Sequence, residues 1–253
     1  MLEVDSLSVK IGERKIVDNV SFVLKEHDIL IVMGPNGAGK TTLFKAIMGI
    51  IPHEGKALLD KSDIKTFSTR ELAKKIGVLT QKHQPRFAHS VYDVVSLGRY
   101  AYQKGLFASL DKNDKKKIDD ALKLTGIYDI KNQSVLTLSG GELQRTFLAQ
   151  LFAQEPKILI LDEPTNHLDL QYQIAIFDII REWVKQDNRA VMAAVHDINT
   201  AYSYGNRAIL MNEGKVHVQG SVEQVLDREH LKAVYKVDVV DWMQSLLRYW
   251  DLQ

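Results

Sequence analysis

The run Gly34-Pro35-Asn36-Gly37-Ala38-Gly39-Lys40-Thr41-Thr42 follows directly on an apolar stretch, Ile29-Leu30-Ile31-Val32-Met33, of the length of a buried strand. Glycines at these spacings let consecutive backbone N–H groups curl around one anion. Lys40 neutralises outer phosphates, and the Thr41 hydroxyl is a ligand for Mg²⁺. The residues that follow, Thr42-Leu43-Phe44-Lys45-Ala46-Ile47, have a helical period, so a helix N-terminus adds partial positive charge beneath the phosphates. A strand, a glycine loop and a helix in this order point to a purine nucleoside triphosphate, without saying what its energy is used for.

A second chemical element is Ile158-Leu159-Ile160-Leu161-Asp162-Glu163, four aliphatics ending in adjacent acids. Strand alternation sends the two carboxylates to different sides. Asp162 can hold Mg²⁺ through its water shell, and Glu163 is free to face an attacking water as general base. Pro164 keeps open the alternative that the acids only cap a helix. Leu138-Ser139-Gly140-Gly141-Glu142-Leu143-Gln144 opens a further helix, whose serine and free N–H groups form a second anion site far from the first in sequence. Gln81 and His196 each end a strand, and taken singly neither points to chemistry.

Positioning these groups takes an alternating α/β chain. Glu3 to Val9 and Val20 to Leu24 show the period of two of half-buried strands and suggest an antiparallel flank. Gly55 to Leu59 and Ile76 to Thr80 read as further strands around a short helix over Arg70 to Lys75. From about Pro85 to Ala153 the pattern turns helical, with N-caps at Asp111 to Asp114, a C-cap at Gly126, and Lys115-Lys116-Lys117 as a solvated face. Strands return at Ile158 to Leu161 and Val191 to Val195 across a helix through Ile174, Phe177, Ile180 and Val184, which implies a mostly parallel sheet. Over Val237 to Gln253 two conformations stay open: an amphipathic helix through Trp242, Leu246 and Trp250, or two short strands around Met243-Gln244-Ser245.

The 253 residues are enough for one α/β domain with an inserted subdomain. Charge is balanced, 33 Lys+Arg against 32 Asp+Glu, so no global field favours nucleic acid or an anionic membrane. Cysteine is absent, which removes disulfides and thiolate metal sites and suits a reducing cytoplasm. The opening Met1 to Asp5 lacks the regions of a signal peptide, and no apolar run approaches the roughly 18 residues of a membrane span. Any membrane work is therefore expected through another subunit. The histidines, among them His83, His89 and His167, show no paired metal-ligand spacing.

From about Leu2 to Tyr235 the order of these elements resembles the ATP-binding cassette ATPases. The elements are the loop at Gly34 to Thr42, Gln81, Leu138 to Gln144, the Asp162-Glu163 pair, Asn166-His167-Leu168-Asp169 and His196. The stretches Asp93 to Tyr100, Glu142 to Arg145 and Asp162 to Asp169 look like the ATPase subunits of importers for iron-siderophore, haem and cobalamin. The resemblance implies a P-loop NTPase (RecA-like) core over 1–84 and 154–220, a helical subdomain over 85–153 and a C-terminal extension over 221–253. It implies ATP and Mg²⁺, the latter held by Thr41, Asp162 and Gln81, with Glu163, His196 and Gln81 catalytic. It also implies a head-to-tail homodimer in which Ser139, Gly140, Gly141 and Glu142 of one copy meet the ATP of the other and Asp169 couples the two sites.

The implied partners are integral-membrane permease subunits, and through them a substrate-binding protein. Their docking surface would be a groove between the core and the insertion, beginning just after Gln81 and near Pro85, Phe87, Tyr92, Arg99, Tyr100 and Tyr102, although Tyr92 and Tyr100 equally suit internal packing. The implied location is the inner face of the cell membrane, peripheral and cytoplasmic, with no nucleic-acid partner. The ATPase of an exporter and a soluble non-transport cassette are the competing readings. Two positions depart from the family pattern. Ile11 stands where an aromatic usually stacks on adenine, and no aromatic occurs from Met1 to Ser21, so modest affinity and poor exclusion of GTP are expected. His27 stands where relatives have glycine, which requires a turn that tolerates a side chain.

Overall fold

Every residue of Ile29–Met33 is buried, as a strand covered on both faces must be. The computed structural model describes residues 1–80, 87–103, 109–166 and 168–247. In chain order the elements are β1 (Leu2–Ile11), β2 (Arg14–Leu24), β3 (Ile29–Met33), α1 (Lys40–Ile47), β4 (Glu54–Leu59), β5 (Ser62–Asp63), α2 (Thr69–Ala73), β6 (Ile76–Leu79), α3 (Val91–Ser96), α4 (Lys112–Leu124) and α5 (Gly140–Ala153). They continue with β7 (Ile158–Asp162), α6 (Leu170–Val184), β8 (Ala190–Ala194), α7 (Ile198–Tyr204), β9 (Arg207–Asn212), β10 (Lys215–Ser221), α8 (Val222–Val225), α9 (Arg228–Tyr235) and α10 (Val239–Leu247).

Two sheets result. One has the order β10-β9-β3-β8-β7-β6, with β10 antiparallel at its edge and the remaining neighbours parallel; the other is an antiparallel sheet of order β2-β1-β4-β5. Alternation along the central strands divides the core in two. Ile29, Ile31, Met33, Leu159, Leu161, Val191 and Ala193 face one layer, built with α3 to α6. Leu30, Val32, Ile158, Ile160, Met192 and Ala194 face the other, where α1 lies against the antiparallel sheet through Leu43, Phe44 and Ile47. A slip of one residue in β3 would exchange the two sets, so the register is fixed by burial on both faces. Each of these side chains other than the alanines contributes about 1.5–3 kcal/mol before chain entropy is set against it.

The helical insertion starts its helices as its sequence suggests. Asp111 caps α4 in a reciprocal capping box with Asp114, and Ile118, Ala121 and Leu122 are the apolar residues it buries. Of the lysine run, Lys115 and Lys116 are exposed, whereas Lys117 pairs with Glu155.

Arg99 requires a correction. It was expected on a permease-docking surface, but it is only 2% exposed. Its Nε donates to Asp114 at 2.8 Å, its Nη1 donates to the Ala153 carbonyl at 2.8 Å and to Glu155 at 3.1 Å, and its guanidinium lies 3.9 Å from the Tyr102 ring centroid. The arginine ties α4 to the end of α5 and has no side-chain atoms to offer a partner. Removing one member of a buried pair leaves the other charge unpaired, so Arg99→Ala should destabilise the chain by about 3–5 kcal/mol. A urea midpoint unchanged from the parent would contradict this placement.

Of the two conformations left open for the C-terminal region, the described residues form the helix, α10, and not the two strands. Lys236, at φ 63°, ends α9. Asp238 then starts α10: its carboxylate accepts from the Asp241 N–H at 3.1 Å and its carbonyl from the Trp242 N–H at 3.0 Å. Arg228 holds that carboxylate from α9 through Nε and Nη2, at 2.9 and 2.8 Å. A fixed N-cap decides for helix where side-chain pattern alone did not. Trp250 lies outside the described residues. At His27 the left-handed backbone, φ 62°, is kept despite the side chain; its N–H donates to the Arg189 carbonyl at 2.7 Å and its Nδ1 bonds the Val184 carbonyl at 2.9 Å.

Candidate functional site at the P-loop

Strand β3 delivers the chain to Gly34, where φ is 142° and a Cβ would lie 2.2 Å from the Met211 carbonyl oxygen. No residue with a side chain fits there. Gly39, φ 98°, stands at the N-cap of α1 with no side-chain cap, and its missing Cβ would meet the Ile16 carbonyl at 2.7 Å. The first-turn N–H groups of α1 therefore have no side chain of the cap residue to satisfy them, the condition under which a helix N-terminus takes an anion.

Lys40 is 6% exposed, and its Nζ donates to the Gly34 and Pro35 carbonyls at 2.7 and 3.2 Å. Burial pushes the ammonium below the usual lysine range, while the charges of Glu163 and Asp162 oppose that shift. The Thr41 hydroxyl bonds the Asp162 carboxylate, so the start of α1 and the tip of β7 meet side chain to side chain. Burial raises the Asp162 pKa, the Thr41 bond counteracts it, and the Glu163 charge adds to it. A hydroxyl and a carboxylate, both hard oxygen donors, fit Mg²⁺ rather than a softer ion.

Glu163 leaves β7 with φ 54°, an uncommon conformation for a residue with a side chain, and its N–H donates to the Ala194 carbonyl at 3.1 Å. Both carboxylate oxygens are engaged. Oε1 lies 2.6 Å from Nε2 of His196, and Oε2 accepts from Nδ2 of Asn166 at 2.8 Å. His196 reaches this point because it follows β8, the neighbour of β7 in the sheet. Lys40, Thr41, Asp162, Glu163 and His196, far apart in sequence, thus share one site. Gln81 lies outside the described residues.

Not every expected group joins them. Among the described residues, Ser139, Gly140, Gly141 and Glu142 make no bond to the P-loop of their own chain. Ser139 caps α5, its Oγ accepting from the Glu142 N–H at 3.3 Å while the Glu142 carboxylate accepts from the Ser139 N–H at 2.8 Å. The Ser139 hydroxyl, donating to the Glu142 carboxylate at 2.7 Å, and then the Ser139 N–H hold that carboxyl below its usual range. Asp169 is the N-cap residue of α6, where its carbonyl, not its carboxylate, accepts from Tyr172 and Gln173. Ile11 is 61% exposed at the tip of the β1–β2 hairpin, whereas Ile16 on β2 lines the clefts beside Asn36, Gly37 and Ala38, together with Arg14, Lys15 and Glu213. Ile16 is the aliphatic wall that sequence reading missed; its nearness follows from the packing of Gly39 and Gly214 against its carbonyl. Asn166 was expected only as part of the stretch Asn166 to Asp169 and not as a partner of Glu163, though Pro164 within a three-residue spacing is a turn signal that returns a side chain toward Glu163. In the insertion, Tyr92 packs against the core, while Phe87 and Tyr100 are 70% and 74% exposed.

A mostly parallel sheet whose central strand feeds a glycine loop and a buried lysine, with an acid pair at the end of a nearby strand of the same sheet, defines a P-loop nucleoside triphosphatase. The chain belongs to the ABC transporter family, whose model matches residues 17–166. It is 36% identical over 94% of its length to the ABC transporter ATP-binding protein YvrA of Bacillus subtilis, of which it spans 54%. With the ferric enterobactin transport ATP-binding protein FepC of Escherichia coli it shares 32% identity, covering 91% of this chain and 85% of that one. Among solved structures, one described as a metal-chelate type ABC transporter in an inward-facing conformation superposes with a TM-score of 0.82 at 28% identity, over 94% of this chain and 89% of that one.

Proposed function

We propose that this chain is the Mg²⁺-dependent ATPase subunit that powers a membrane importer, with an iron-siderophore, haem, cobalamin or related metal chelate as cargo. The observation that carries the catalytic part is the Glu163 carboxylate, held by His196 and Asn166 beside the Thr41–Asp162 pair and above the buried Lys40. Lys40 and the N–H groups of the P-loop bind the triphosphate. Thr41 and Asp162, joined by Gln81, would hold Mg²⁺, which screens the phosphate charge when bound. Glu163 takes a proton from the attacking water, and His196 supports the γ-phosphate end. The cargo class rests on the relatives' names, FepC being a ferric enterobactin transport protein.

The site is one half of a pair. Among the described residues the N-terminus of α5, with Ser139, Gly140 and Gly141, makes no bond to its own P-loop and is available to the nucleotide of a second copy, so ATP becomes part of the interface and favours the closed homodimer by mass action. Asp169 would couple the two sites. Among the described residues no helix is long and apolar enough to cross a membrane. Transport therefore needs permease subunits, for which exposed Phe87 and Tyr100 on the insertion offer an apolar contact, with Tyr92 packed behind. A binding protein would act through the permease, and the chain would sit at the inner face of the membrane.

The test is co-expression with a candidate permease of the iron-siderophore or cobalamin import class, followed by reconstitution in liposomes. ATP-driven uptake of a ferric siderophore or cobalamin, with hydrolysis stimulated by the loaded binding protein, is the expected result. Hydrolysis without any association with a membrane subunit would favour a soluble cassette.

A further inference from the structure

The first turns of α5 lie on the segment that carries the catalytic carboxylate. A Cβ on Gly140 would be 3.5 Å from Leu168 Cδ2, and one on Gly141 would be 2.3–2.7 Å from the ring of Tyr172. One turn further along, Nε2 of Gln144 donates to the Pro164 carbonyl at 2.6 Å. Pro164 is the residue after Glu163, inside a tight turn closed by the Asn166 N–H donating to the Glu163 carbonyl at 3.2 Å. The side chain of Asn166 then returns to the Glu163 carboxylate. An unbroken series of bonds thus runs from α5 to Glu163 and on to His196.

We propose that Gln144 is a positioning residue: it registers the turn Glu163–Asn166 to the N-terminus of α5, so that engagement of α5 by the partner's ATP aligns the glutamate of this chain's own site. The proposal rests on the dimeric ATPase reading given above. Its physical basis is the combination of rigid and compliant parts. Gly141 allows the Tyr172 ring to approach the helix backbone more closely than any Cβ would permit, so α5 and the start of α6 move together. The turn itself holds Glu163 at φ 54°, a conformation that persists only where neighbours over-determine it. The amide of Gln144 is a donor from α5 to the middle of that turn, and a side chain without a donor would leave the Pro164 carbonyl without this bond. When α5 shifts, the turn is carried with it.

Gln144→Met keeps size and helix propensity and removes the donor; Gln144→Glu also sets a carboxylate against the carbonyl. Both should lower kcat about tenfold, with the KM for ATP and the melting temperature close to the parent, and Gln144→Lys, which restores a donor, should recover part of the rate. In a Glu163→Gln background, Gln144→Met should leave formation of the ATP-bound dimer unchanged, because its effect passes through the glutamate. Parental kcat in Gln144→Met overturns the inference, as does loss of the trapped dimer, which would place Gln144 in ATP contact instead. A uniform fall in melting temperature with no recovery in Gln144→Lys would reduce it to a fold contact and also overturn it. If Glu163→Gln alone traps no dimer, the failure lies with the dimeric ATPase reading and not with Gln144.

Discussion

Glu163→Gln should bind ATP as tightly as the parent, hydrolyse it about 10²–10⁴-fold more slowly and accumulate as a closed dimer. The amide has the shape of the carboxylate and can still meet both His196 and Asn166, whose nitrogens lie 2.6 and 2.8 Å from the two oxygens. What it lacks is basicity, so a water placed beside it keeps its proton. Loss of the charge also acts on binding. Glu163 raises the pKa of the buried Asp162 next to it, a sign of repulsion between the acids, and a triphosphate adds further negative charge to the same place. Removing one acid lowers that repulsion, so nucleotide affinity should hold or rise while turnover falls. Size-exclusion chromatography with ATP and Mg²⁺ reads the dimer, and phosphate release reads the turnover. Release near the parental rate would sink the assignment of Glu163 as the base.

Much of this site was legible in the sequence because its parts are local. The P-loop is one continuous segment whose glycines declare their backbone: Gly34 and Gly39 have positive φ and carbonyls where a Cβ would be. Asp162 and Glu163 announce themselves by ending an apolar run, but strand alternation does not place Glu163, which leaves β7 in a left-handed conformation at φ 54°. Contacts between segments were not legible. Arg99 sits in a run that looks like surface, and only the arrival of Asp114, Glu155 and the Ala153 carbonyl from elsewhere makes it a buried linchpin. Ile16 and Ile11 are both aliphatic residues near one hairpin. Which of them faces the nucleotide cleft depends on how β2 packs against Gly39 and Gly214, a tertiary fact without a sequence period. The tail failed for a related reason: the helix is started by Asp238, and Asp238 is fixed by Arg228 on the preceding helix.

Lys40→Ala should weaken ATP binding about 30-fold to several-thousandfold and lower hydrolysis with it, while the chain keeps its fold. Lys40 is 6% exposed, yet it lies between two carbonyls of its own loop and two acids, so its charge is compensated by neighbours that stay behind when it goes. With alanine the site becomes a cluster of backbone carbonyls and two acids, Asp162 and Glu163, facing an incoming polyanion. Losing one partner of a desolvated charge pair costs about 2–5 kcal/mol or more, which is roughly a 30-fold to several-thousandfold rise in Kd. Folding suffers less, because Gly34 and Gly39 owe their conformation to Met211 and Ile16 and not to the ammonium. The two predictions separate cleanly when combined. Lys40→Ala with Glu163→Gln should remain monomeric in ATP, since a trapped dimer needs nucleotide as its bridge. A double variant that still dimerises on ATP would mean that binding does not pass through the P-loop lysine, and the site as built here would be wrong.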